Sequence, residues 1–430
     1  MTGHSDGWIG TVSVVVPTHN RPASLLRLLR ALAQPGGVLP HEVVIVADGC
    51  TPETAQAVAA EPLPYPVRVF EQHPARGPAL SRNRGAAETT GDVLLFIDDD
   101  IEPFENVVGE HRRHHDGTPR VVIGAPVAPR QPDEGFRDIE SWGWWEQQFE
   151  HMREPGCRFT YEDLTTGILS VPRELWMSAG GLDETLSVFR CREDFELGLR
   201  LLRQRVEFAF TESGGGWHHE NRKGARLIDR KEKEGAADVT IARLHPWAFP
   251  ALRLLAWEAT QPGGSIVRRL AFRWPRTSRL ITAVAERMLD VLESLRLRGT
   301  WRRVMGGMMY IAYWRGAARA LGSWEALDVL ADQAMRTPLP DRRELRIDLA
   351  ADLESLRHQL DDHRPDALHL FFEELPLGVI HTAPGREPWR GAHLDSPPRE
   401  LVDAVMVARA LAELRACAPT VPGLSGNTAA

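Results

Sequence analysis

Cysteine is scarce. The 430 residues hold four, Cys50, Cys157, Cys191 and Cys417, far apart and without a Cys-x-x-Cys spacing. This excludes a disulfide framework and a cysteine-built zinc site, and it fits a reducing cytoplasm. Long apolar runs are missing too. The most apolar late stretch, Val304 to Trp314, is shorter than the roughly 20 residues a spanning helix needs. The opening MTGHSDGWIG lacks the charged-then-apolar pattern of a secretion signal, so the expectation is a cytoplasmic protein, soluble or peripheral at the inner membrane face. A basic surplus is absent: the formal net charge is −8, which argues against nucleic acid as the main partner because phosphate binding needs a basic surface. Near the first apolar run, THNRPAS supplies neither glycine nor lysine, so the phosphate loop expected of a nucleotidyltransferase is not there. No internal repeat is evident.

What the chain does have is enough apolar material for a sizeable core, 43% of its residues, and a length that suggests two or three domains. Apolar runs recur at Val12 to Val16, Val43 to Val46, Val67 to Phe70 and Val93 to Ile97, with helical patterns between most of them. This is the βαβ pattern of a parallel sheet. Asn20 before Pro22 and Thr51 before Pro52 mark helix starts, and Leu25, Leu28, Leu29 and Leu32 form the apolar face of the first helix. Three aspartates, Asp98, Asp99 and Asp100, end the fourth run, and Asp48 ends the second. In an open α/β sheet these ends emerge where ligands bind. Stacked carboxylates there repel one another and invite a divalent cation; the plain alternative is a solvated acidic turn.

Further along, proline and glycine from Pro126 to Gly135 mark a long connection after a strand at Val121 to Val127. SWGWWEQQF follows, with Trp142, Trp144 and Trp145 either lining a binding surface or packing in the core. Glu193 and Asp194 open a helical FELGLRLLRQR, and Gly214 to Gly216 lead into Trp217, His218 and His219. The glycine run and the charged segment Glu220 to Glu234 suggest a lid. His111, His114 and His115 suggest an exposed helix face rather than a metal site, because no carboxylate or cysteine pattern supports them.

Composition shifts near Pro246 to Pro250. The expected organisation is a first domain over 1–245, a helical region over 246–337, and a small α+β appendix over 338–430. Leu280, Val284, Met288, Leu292 and Leu295 fall at helical spacing before a stop at Gly299. Residues 251–320 hold 13 arginines and 4 acidic residues, a surplus of 13 − 4 = 9 positive charges. Peripheral contact with an anionic membrane, a homodimer and an ordinary solvated face all remain open. Leu345 to Leu349 and Ala367 to Phe372 suggest strands around a helix at Leu353 to Asp361.

Taken in order, VSVVVPTHNR, the VADG strand end, LSRNRG, FIDDDI, GGLDE, EDFELGLRL and the later histidine pair make the region from about 12 to 245 resemble the family 2 inverting glycosyltransferases. The resemblance implies an A-type, Rossmann-like nucleotide-diphospho-sugar transferase fold with a mainly parallel sheet. It also implies transfer of a hexosyl unit from a nucleotide sugar to a hydroxyl acceptor, with a divalent metal, manganese or magnesium. The acceptor could be a glycan, a lipid-linked sugar, a peptide or a small molecule. The contrasting reading is a non-catalytic scaffold with a vestigial transferase domain.

Carried onto this sequence, the resemblance makes Asp194 the catalytic base and gives Asp98 and Asp100, as an Asp-x-Asp (DXD) motif, the metal, with His218 completing the metal shell. Asp100 is the expected direct ligand and Asp98 its ribose-side or water-mediated partner. Asp99, on the other side of the strand, counts among the donor-binding residues but is expected to matter least. Thr18, Asp48 and Arg82 are placed at the nucleobase, ribose or phosphates, Asp183 near the sugar hydroxyls beside Trp176, and Glu193 in the donor-binding set. Where the family has a pair of aspartates at the second strand end, this chain has Ala47 and Asp48. Thr165, Thr166 and Gly167 likewise replace the family's commoner residues.

Overall fold

The computed structural model describes residues 10–129, 135–219, 224–256 and 264–417. Contacts divide the chain into two compact units, one of Met1–Arg153, Phe159–Pro340 and Ala383–Glu387, the other of Glu154–Arg158, Asp341–Thr382 and Pro388 onward.

In the first unit, β1 (Val12–Thr18), α1 (Pro22–Leu32), β2 (Glu42–Asp48), α2 (Pro52–Ala59), β3 (Val67–Gln72), α3 (Pro78–Glu88) and β4 (Val93–Ile97) alternate as the apolar runs require. Then come β5 (Ile101–Pro103), α4 (Val107–Arg112), β6 (Arg120–Val127), α5 (Phe136–Arg153), β7 (Ile168–Pro172), α6 (Arg173–Ala179), α7 (Glu193–Arg203) and β8 (Glu207–His218). The eight strands form one sheet in the order β3-β2-β1-β4-β7-β6-β8-β5. Strands β1, β2, β3 and β4 run parallel, so Thr18, Asp48 and Asp98 leave from the same edge. The antiparallel exceptions are β7, between β4 and β6, and β5 against β8. Every residue of β4 is buried, and its core joins Val14, Val16, Leu25, Leu28 and Ile45.

Helices α8 (Gly224–Leu244), α9 (Arg253–Ala256), α10 (Gly264–Arg273), α11 (Pro275–Ser294), α12 (Arg298–Leu321) and α13 (Trp324–Arg336) complete this unit, with α12 packed along α8 and α11. Gly299 does not stop a helix. The break comes earlier, at Arg296, whose positive φ of 54° ends α11, and Gly299 lies in the first turn of α12. The glycine run is not a lid either: Gly214 to Gly216 lie within β8, where a Cβ on Gly216 would sit 2.7 Å from the Glu102 carbonyl oxygen. Close approach of three strands explains the glycines. Of the charged segment behind them, 220–223 fall outside the described residues and the remainder is α8.

The second unit folds β9 (Glu344–Asp348), α14 (Leu353–His363), β10 (Ala367–Phe372), β11 (Leu375–His381) and α15 (Arg399–Cys417). Its sheet, β11-β10-β9, covers a core of Ile347, Leu356, Leu360, Leu368, Leu370 and Trp389. The sequence pattern missed β11, an edge strand with mostly exposed side chains and so no apolar run to read.

Candidate functional site

The three aspartates do not behave alike. Asp99 is buried and turned back toward β1, where the Thr18 hydroxyl donates to it at 2.7 Å and Arg21 at 3.1 Å. Burial pushes its carboxyl up to about 6 despite these donors. Thr18 is thereby committed to the triplet. Arg21 also donates to Asp100 Oδ2 at 2.7 Å, while Asp100 Oδ1 faces His218 Nε2 at 3.5 Å. Burial opposes the Asp100 charge, but His218 and Arg21 outweigh it and hold the carboxyl below the usual range. His218 arrives by register: β5 pairs with the end of β8 so that Ile101 lies opposite His218, and the His219 amide donates to the Asp100 carbonyl at 2.9 Å. Sequence reasoning did not single out Arg21, although it closes the same β1 motif that contains Thr18.

Asp98 is half-buried and hydrogen-bonded to Arg82. Burial raises its carboxyl pKa; Arg82 counters the shift and Asp100 adds to it. Arg82 itself lies inside, because α3 presses its Ser81, Arg82, Gly85 and Ala86 face on the sheet. Gly85 permits that approach, since a Cβ there would run into Val15. The same guanidinium stands 3.8 Å from Glu193 Oε1, so one buried arginine bridges the strand-end aspartate and the first turn of α7.

That first turn holds the expected base. Asp194 is half-buried, accepts from the Phe195 amide at 2.9 Å, and has its carboxyl pKa raised by burial against the pull of that amide and Arg82. A helix N-terminus favours a carboxylate, but here desolvation wins. Glu193 is buried and pushed up to about 7, by desolvation first and then by the Asp194 charge, with Arg82 opposing; its Oε2 has no hydrogen-bond partner. The backbone before them is unusual. Arg192 takes a left-handed φ of 73°, with its guanidinium 3.1 Å from Glu234 and 3.2 Å from Asp238, over the Phe195 ring at 4.5 Å. Asp238 in turn accepts from the Tyr313 hydroxyl at 2.6 Å. Helices α8 and α12 thus brace the turn that carries Asp194, a role hidden in sequence because the partners lie more than 40 residues away.

Asp48 is occupied locally. Its Oδ1 accepts from Gln72 at 2.8 Å and the Arg76 amide at 2.6 Å, and its Oδ2 from the Gly77 amide at 2.9 Å, which anchors the loop entering α3. Asp183 caps the short 3-10 turn Glu184–Val188, accepting from the Thr185 amide at 2.8 Å. It lines a hollow of about 460 Å³ with Asn83, Leu182, Glu196, Arg200 and His245. Trp176 is a core residue packed 4.4 Å from Phe96. Trp144 is exposed and meets Trp145, which stacks on Phe149 and, through it, Phe210; the side chain of Trp142 lies outside the described residues.

The histidine cluster corrects the exposed-face expectation. His111 and His115 are buried against the sheet, both 2.8 Å from the Ser170 hydroxyl, and His111 also meets the Gly214 carbonyl at 2.9 Å. The partners come from β7 and β8, which the local pattern cannot announce.

A carboxylate and an imidazole, Asp100 and His218, form a donor pair suited to a divalent transition metal. Among the described residues no three such side chains cluster into a closed cage. Two such side chains would leave most of a divalent cation's coordination positions to other oxygen ligands.

Residues 13–172 match the family model of Glycosyl transferase family 2. That segment belongs to glycosyl transferase family 2. The family 2 segment spans β1 to β7 and so contains the aspartate triplet and Arg82, while α7 and His218 lie beyond it. Relatives extend further. An uncharacterized glycosyltransferase of Haemophilus influenzae is 29% identical over 200 residues, 45% of this chain and 62% of that protein. The pre-mycofactocin glycosyltransferase of Mycobacterium tuberculosis is 25% identical over 67% of this chain and 62% of its own length. The O-antigen biosynthesis protein RfbC of Myxococcus xanthus is 28% identical over 56% of this chain but only 19% of its own length. The chain therefore spans less than two thirds of these relatives. Among solved structures, the mannosyltransferase PcManGT of Pyrobaculum calidifontis, in complex with GDP-Man and Mn2+, aligns with 74% of this chain and 88% of its own at 18% identity and a TM-score of 0.46.

Proposed function

We propose that this chain is a metal-dependent, inverting glycosyltransferase that moves a sugar from a nucleotide-diphosphate donor to a hydroxyl acceptor. The observation that carries the reading is Arg82, buried and shared between Asp98 at the strand edge and Glu193 beside Asp194. In this reading the arginine links a donor-binding end to a base-bearing end. Family membership of 13–172 supports the transferase class.

In this reading the acceptor oxygen attacks the anomeric carbon, its proton passes to a carboxylate oxygen of Asp194, and the bond to the diphosphate breaks with its electron pair leaving on phosphate. The raised pKa of Asp194 suits it to hold that proton. Asp100 and His218, with Asp98 beside them, would hold the cation, manganese or magnesium, which when bound neutralises charge on the leaving diphosphate. Arg82 adds fixed positive charge from inside the fold. Asp183 and its hollow provide polar groups for sugar hydroxyls, and Trp144 an aromatic surface for the acceptor. The assignment gives catalysis to 1–245, bracing to the helical region 246–337, and a separate α+β unit to 338–430.

The test is release of nucleoside diphosphate from a panel of nucleotide sugars. Release that disappears with a chelator and returns with manganese or magnesium supports the reading; no release from any donor with either metal contradicts it.

A further inference from the structure

Helix α11 carries an apolar face that is exposed among the described residues. Its inner face, Ser278, Thr282, Leu289 and Leu292, is buried and lies against α12. Away from that face runs a second stripe, Leu280, Val284, Met288, Val291 and Leu295, spaced by four, four, three and four residues as one side of a helix requires. These side chains are exposed: Leu280 by 65%, Val284 by 59% and Leu295 by 61%. Trp274, which opens α11, is 54% exposed, and Ile266 on α10 is 72% exposed. A soluble surface tolerates scattered apolar residues, but an ordered stripe of this length marks an interaction site.

The charges beside the stripe say what kind. Arg273, Arg276, Arg279 and Arg287 are exposed on the same two helices, and no ion pair among the described residues engages them. Several other arginines of this region are paired: Arg298 and Arg302 with Glu140, and Arg315 with Glu232. Within α11 the acidic residues are few: Glu286 is half-buried, and Glu293 accepts from the Phe136 amide at 2.6 Å, which leaves Asp290 exposed. Two copies meeting through this face would set arginine against arginine. An anionic lipid surface would pair with every one of them.

We propose that α10 and α11 form an interfacial docking face for an anionic membrane, with the apolar stripe entering the headgroup region and the arginines contacting lipid phosphates. An aliphatic stripe with a tryptophan and arginines around it is the composition of helices that lie in a membrane interface. Among the described residues no helix is long and apolar enough to cross a membrane, so the contact lies in the membrane plane.

Flotation of the full chain with lipid vesicles tests this. Vesicles of phosphatidylcholine with phosphatidylglycerol should carry the protein, and phosphatidylcholine alone should not; raising the salt to about 0.5 M should strip most of it. The double substitution Leu280→Glu and Val284→Glu should reduce binding at least about tenfold. Arg276→Gln and Arg287→Gln, which leave the stripe intact, should each weaken it roughly fivefold. All four residues are exposed, and circular dichroism should confirm that the variants stay folded. Equal binding to neutral and anionic vesicles, or none to either, overturns the proposal. So does a dimer in sizing measurements that Leu280→Glu splits, since the stripe would then be covered by a second copy.

Discussion

The Arg82 guanidinium stands 3.8 Å from the Glu193 carboxylate while it is hydrogen-bonded to Asp98. Both of its partners are acidic groups whose carboxyl pKa burial drives upward, so the arginine stabilises two charges that the fold would otherwise expel. Removing it by Arg82→Met should destabilise the protein by about 3 to 5 kcal/mol, the usual cost of breaking a buried pair. Arg82→Lys keeps the charge but not the fork, so it should lower turnover at least about tenfold with a smaller fall in melting temperature. Thermal melts and donor turnover on both variants decide this; a lysine variant with full activity would remove the bridging role.

The brace behind Asp194 gives a second expectation. Tyr313 on α12 donates to buried Asp238, which holds Arg192 in its left-handed turn. Tyr313→Phe should cost about 1 to 3 kcal/mol, because Asp238 loses a donor while staying buried. If the brace positions Asp194, kcat should fall while the donor KM changes little. A loss of stability with kcat unchanged would make the contact structural only.

Acid sensitivity should come partly from the buried histidines. Burial, with a smaller push from His111, lowers His115 to about 3, and burial lowers His111 to about 4. Their folded pKa values lie below the unfolded value of about 6.5, so the unfolded chain binds more protons in between. The stability they contribute is fully present above about pH 6.5 and is lost as pH falls toward 4 and 3. Denaturant unfolding from pH 7 to 4 should therefore show a shallower fall for His115→Asn than for the wild-type chain. Parallel curves would mean that His115 does not titrate between the two states.

Much of this arrangement could be read from the chain. The strand ends at Thr18, Asp48 and Asp98 follow from apolar runs of the right length, and the α7 start at Glu193 follows from local pattern. What local pattern could not carry was tertiary. Arg21 and Arg82 matter because strand order brings β1, α3 and β4 together. His218 joins Asp100 only through the β5–β8 register. Gly214 to Gly216 suggest part of a lid because a glycine run is ambiguous in sequence; only the close packing of β8 between β5 and β6 shows why side chains are excluded there. Leu280, Val284, Met288 and Leu295 of the exposed α11 stripe are legible as helical spacing, but the same spacing takes in Leu292, which faces inward, and omits the exposed Val291.

The most direct measurement concerns Asp194. Donor-derived nucleoside diphosphate release and calorimetric nucleotide binding should be compared between the wild-type chain and Asp194→Asn. The account predicts release reduced by roughly 10² to 10⁴, the span a positioned base supplies, with nucleotide affinity nearly unchanged. Undiminished release by Asp194→Asn would contradict it.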